Sequence, residues 1–102
     1  MESNNSFNEI FQHCIDIANE KYDGHFTLFK FTTNWRFCFG TVGALADLMT
    51  EHLVISIMAE GKTPEEAIKK GINENINAHD LLKIVEQKLE EANKNDTWYV
   101  DL

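Results

Sequence analysis

Six of the chain's eleven aromatic residues fall within positions 26–39, Phe-Thr-Leu-Phe-Lys-Phe-Thr-Thr-Asn-Trp-Arg-Phe-Cys-Phe. A run this rich in aromatic residues, with alternating character, reads as two strands joined near Asn34, over 25–33 and 35–42. In the second strand Trp35, Phe37, Phe39 and Thr41 share one face, and Arg36, Cys38, Gly40 and Val42 the other. In the first, Phe29 and Phe31 oppose Phe26 and Leu28. The hairpin is therefore apolar on both sides, and both sides need cover. Helices are expected over one side and a second subunit or another strand over the other, so a homodimer or higher oligomer is expected.

Helical signals flank the hairpin. Ser6 and Glu9 form a capping box that predicts a helix start, and Phe7, Ile10, Phe11, Cys14, Ile17, Ala18 and Tyr22 recur at helical steps until Asp23-Gly24. Thr63-Pro64-Glu65-Glu66 combines an N-cap, a proline at the first helical position and acidic groups at the positive dipole end, which predicts a helix over 64–73. A further helix follows the Asn-rich break 73–77, with Ala78, Leu81, Leu82, Val85, Leu89 and Ala92 inward and Lys83, Glu86, Lys88, Glu90 and Glu91 outward. Residues 44–60 read as a short helix over 44–50 followed by a strand over 53–58, with one long helix as the alternative. Thr97 to Leu102 alternates and fits an edge strand or a segment that reaches across a subunit boundary.

At 102 residues the chain fits a single domain, and the fold class expected is α+β, a small antiparallel sheet centred on the 25–42 hairpin with one N-terminal and two C-terminal helices. Nine basic against seventeen acidic groups give a net charge of −8, which opposes direct binding to nucleic acid or to an anionic membrane. Residues 1–43 carry three basic and five acidic groups and residues 44–102 six and twelve, so the acidic field is expected in the second half. That field reads either as solvated helix surface or as a docking face for a basic partner. With two cysteines, no apolar leader and no apolar run of membrane-spanning length, the expected compartment is the cytoplasm, of a bacterium or of a host carrying a phage gene.

Candidate chemistry is sparse. Gly61-Lys62-Thr63 ends like a phosphate-binding loop, but Ser56 stands where that motif needs glycine. Gly40-Thr41-Val42-Gly43 could cradle an anion or simply let the chain turn. His13, His25, His52 and His79 lack the spacing of metal ligands, so neither metal nor cofactor is expected. A Cys38 and His25 pair could form across the hairpin, yet burial makes an inert thiol the expected state, and the chain leans away from catalysis. Arg36 is the only arginine, and beside Asn34 and Trp35 it could grip a carboxylate or phosphate under a stacking indole. The alternative is that Trp35 packs in the core, Arg36 forms an ion pair and Asn34 makes the turn.

Residues 60–72, Glu-Gly-Lys-Thr-Pro-Glu-Glu-Ala-Ile-Lys-Lys-Gly-Ile, resemble the passage from sheet to helix in antitoxins of the HicB type. The resemblance covers about thirteen of the 102 residues and consists mostly of helix-start signals. The Pro-Asp-Leu-Pro-Gly-Cys-like stretch of that family is missing, so the likeness marks a shared local solution.

Two functions are therefore expected. The leading one is a small, acidic, non-catalytic binding or inhibitor protein of bacterial or phage accessory type that docks a basic protein through Glu65, Glu66, Glu90 and Glu91. The alternative is an oligomeric receptor or sponge for a small anionic, nucleotide-like ligand held by Asn34, Trp35 and Arg36, with Trp98 or Tyr99 from a neighbour.

Overall fold

The structure, a computed structural model, describes residues 2–42 and 47–95. The elements in chain order are α1 (Glu2–Lys21), β1 (Phe26–Lys30), β2 (Trp35–Phe39), α2 (Leu48–Ser56), β3 (Ala59–Gly61), α3 (Pro64–Asn73) and α4 (Ala78–Asn95). The α+β class holds. β2 is the middle strand of an antiparallel sheet ordered β1-β2-β3.

Register and pleat sort the side chains. Phe26 pairs with Phe39, Leu28 with Phe37 and Lys30 with Trp35, and β3 adds Ala59 and Gly61 to the same face. These residues meet Cys14 and Ala18 of α1 and Ala67 and Ile68 of α3. The opposite face carries Thr27 opposite Cys38 and Phe29 opposite Arg36. There Cys38 joins Val54 of α2, Met58, and Ala78, Leu81 and Val85 of α4. The sheet is thus the middle of three layers. α2 and α4 supply the cover on that side, where a second subunit or another strand was expected.

The first layer is aromatic. Tyr22 stacks on Phe39 at 4.8 Å, Phe37 meets Phe39 edge-on at 5.0 Å, and Phe11 meets Phe26 edge-on at 5.9 Å. Phe37 is fully buried beneath α3 at Gly71, where a Cβ would lie 2.2 Å from Cδ2 of the ring. Ala59 and Gly61 are small for the same reason: a Cβ at Gly61 would stand 2.4 Å from the Ala67 nitrogen.

Four boundaries differ from expectation. α1 begins at Glu2 and runs through Ser6, since Asn4 and Asn5 contain no breaker and extending a formed helix adds one bond per residue. Its end is as expected, with Gly24 N–H reaching Ala18 O at 2.8 Å and both Asp23 and Gly24 at positive φ. The strands are shorter than 25–33 and 35–42. The turn closes as Phe31 N–H donates to Asn34 O, and Gly40 at φ 85 takes the chain out of β2. Residues 53–58, expected as a strand, belong mostly to α2; Asp47 is extended, so no single helix runs over 44–60, and residues 44–46 of the helix expected over 44–50 lie outside the described residues. Asp47 starts α2 by accepting from Thr50 N at 2.8 Å, and Arg36 closes its far end. The place beside β2 goes to the three residues of β3. The α3 bounds match the cap signals, with Thr63 Oγ1 accepting from Glu66 N at 3.1 Å. The strand-to-helix passage of residues 60–72 is present as β3 followed by α3.

Candidate binding surfaces

Arg36 stands on β2, facing α2. Its Nε donates to Asn34 Oδ1 at 3.0 Å, and Nη1 donates to the Ile55 and Ser56 carbonyls at 3.3 and 2.8 Å. Nη2 lies 3.7 Å from Glu60 Oε1, its cross-strand neighbour on β3. The last carbonyls of a helix lack partners within it, so the guanidinium serves as a C-terminal cap for α2 supplied from the sheet.

Asn34 and Arg36 are therefore brought together, along the wall of an apolar recess of about 290 Å³ that Phe31, His52, Ile55 and Ser56 complete. Trp35 is not part of it. Adjacent strand residues point to opposite faces, and Trp35 packs against the aromatic layer with Lys30 Nζ 5.7 Å from its ring centroid. Trp98 and Tyr99, and the edge strand expected over 97–102, lie outside the described residues.

The four acidic residues expected to form one docking face are divided. Glu65 and Glu66 open α3, on the aromatic side of the sheet, whereas Glu90 and Glu91 belong to α4 on the other. Glu66 is also occupied locally, its Oε1 accepting from Lys62 N at 2.8 Å. A different acidic row shares one helix face. Glu9, Asp16 and Glu20 are exposed along α1, with Asp16 and Glu20 about 20° to either side of Glu9 around the helix and the exposed His13 on the same side. They oppose the inward Cys14 and Ala18, and Gln12 Nε2 donates to Asp16 Oδ1 at 3.0 Å. Lys21 is the one Lys or Arg of α1, and it stands about 100° from Glu20 around the helix. Counting charge by halves of the chain hid this row; counting it by helix face reveals it.

The remaining candidates are absorbed by structure. Gly40 N–H donates to His25 O and Gly40 O accepts from Thr27 Oγ1, so this glycine's backbone is engaged within the hairpin. The Cys14 and Cys38 thiols are pushed up by burial, to about 11 and about 12. His25 is exposed and shares a 3.1 Å hydrogen bond with Thr41 Oγ1, while Cys38 is sealed under α2 and α4. Among the described residues no cluster of three His, Cys, Asp or Glu could hold a metal ion, and no helix is long and apolar enough to cross a membrane. Comparison of the chain with known protein families, curated proteins and solved structures found no match.

Proposed function

We propose that this chain is a non-catalytic binding protein that engages a basic segment of a protein partner through the solvent face of α1. The observation that carries the reading is the Glu9, Asp16, Glu20 row, with no Lys or Arg of its own helix facing the same way. The row runs from residue 9 to residue 20, about 16 Å of helix, enough to meet about three turns of a basic partner helix. The overall charge of −8 extends the same field and favours encounter with cationic surfaces.

The test is partner capture and calorimetry with a basic amphipathic peptide, comparing the triple variant Glu9→Gln, Asp16→Asn, Glu20→Gln with a control triple at Glu65, Glu90 and Glu91. The α1 triple is expected to weaken binding roughly tenfold or more at low salt, with the difference shrinking as salt screens the charges. Equal loss in both triples would mean that net charge, not the α1 face, attracts the partner. Unchanged binding in the α1 triple would end the proposal.

A further inference from the structure

Arg36 spends only part of its hydrogen-bonding capacity on the fold. Of its five N–H donors, Nε is taken by Asn34 Oδ1 and the two of Nη1 by the Ile55 and Ser56 carbonyls. Among the described residues nothing accepts a hydrogen bond from Nη2. Glu60 Oε1 stands 3.7 Å away, beyond hydrogen-bond reach, on a side chain that is half exposed. The Asn34 amide is in a similar condition. Its Oδ1 holds Arg36 and one Nδ2 proton goes to Thr33 Oγ1 at 3.1 Å, which leaves the second proton without an acceptor among the described residues.

Both side chains stand on the wall of the recess of about 290 Å³ between the hairpin turn and α2, where Phe31, 42 % exposed, and Ile55 supply apolar surface. Apolar walls with a few fixed polar groups are the make-up of small-molecule sites.

We infer that this recess binds a small organic acid with one carboxylate, which accepts from Arg36 Nη2 and the Asn34 amide while an aromatic or short aliphatic body lies between Phe31 and Ile55. Preorganisation favours it: three contacts already hold the guanidinium, so little ordering remains to oppose binding. Charge balance favours a single negative charge. Arg36 is the one Lys or Arg lining the recess, Glu60 lies beside it and the chain carries −8, so a polyphosphate would meet more repulsion than attraction. The volume, at the lower end of ligand cavities of roughly 300–1,000 Å³, favours a body of one or two rings. Arg36 faces α2, across the sheet from α1, so binding here neither needs nor excludes a basic partner on the acidic row.

The test is an NMR titration of the isotope-labelled full chain with benzoate and hexanoate, and with benzamide and inorganic phosphate as controls, up to roughly ten millimolar at low salt. Each control lacks one half of the recognition, benzamide the charge and phosphate the apolar body. At least one carboxylate is expected to saturate, with shifts centred on the Arg36 Nε–H and the Ile55 and Ser56 amides. Because Arg36 also closes α2, two variants elsewhere carry the decision. Glu60→Gln removes the competing carboxylate and is expected to tighten binding of that probe several-fold. Phe31→Glu sets a like charge on the apolar wall and is expected to abolish it, with far-UV circular dichroism and protection of the Cys38 thiol unchanged.

Failure of both carboxylates to saturate overturns the inference. So does a control that binds as tightly as the better carboxylate, or a Glu60→Gln variant whose affinity for it does not rise. A Phe31→Glu variant that folds and still binds overturns it too.

Discussion

The two sides of the sheet solve the same problem with different materials. On the α1 and α3 side, aromatic rings fill the layer, glycine lets Phe37 reach the α3 backbone, and the outermost surface of α1 is charged. On the α2 and α4 side, the filling is aliphatic and thiol, α2 is only nine residues long, and its outer flank is apolar. On the first side the packing is joined by the Tyr22 hydroxyl, which donates to Asn75 Oδ1 at 2.7 Å. The second depends on a guanidinium that reaches across from β2 to tie down a helix too short to persist by itself. An interior closed by large rings resists disturbance, whereas a nine-residue helix whose far end is closed by one side chain can be opened locally.

The comparison can be broken most forcefully at its centre. Phe37→Ala is expected to cost about 3–5 kcal/mol in urea denaturation, against about 2 kcal/mol for Val54→Ala on the other side. Equal costs would erase the distinction between the layers. Next, Arg36→Met is expected to lose about 1.5–3 kcal/mol, mostly from the two carbonyls left without their charged donor, since Glu60 is half exposed and its ion pair adds little. The same variant should speed thiol labelling of Cys38 while leaving Cys14 protected, because the two cysteines report on opposite layers. Matching acceleration at both thiols would show that the molecule opens as one unit.

Smaller effects sharpen the contrast. Thr63→Ala should cost about 1 kcal/mol through the lost α3 cap and leave α2 exchange rates unchanged. The pH dependence has two arms of opposite sign. Asp47 is held below its ordinary value, chiefly by the Thr50 N–H bond, so its contribution stands above the usual carboxylate range and disappears as pH falls through the lowered value. The start of α2 should therefore lose hydrogen-exchange protection in acid before α3 does. The buried thiols hold their protons more tightly when folded, so their contribution is complete below 9.0 and lost as pH climbs toward 11 and 12. Alkaline destabilisation should accordingly begin above pH 9 and diminish in Cys38→Ala.

Where the signals are local, the sequence was sufficient. Thr63 and Pro64 define the start of α3 by chemistry confined to one turn, and the alternation of Trp35 to Phe39 sorts the sheet faces residue by residue. α2 was not legible in the same way. Leu53 to Met58 is apolar but for Ser56 and β-branched in part, so periodicity does not separate helix from strand, and the contact that closes the helix comes from Arg36, distant in sequence. The proximity of Trp35 and Arg36 was misleading for the opposite reason, since neighbours in a strand face apart. The acidic row on α1 was present in the residue spacing and needed only to be counted around the helix.

Phe37 occupies the space in which any side chain at position 71 would begin, so the two sites must change together. A diverging copy of this gene could enlarge residue 71 only after the ring had been trimmed, and aligned relatives should carry the mark as correlated substitution between a strand position and a helix position. Site-saturation libraries should show the same coupling: at 71 glycine alone survives beside phenylalanine, and alanine is admitted once 37 becomes leucine or valine.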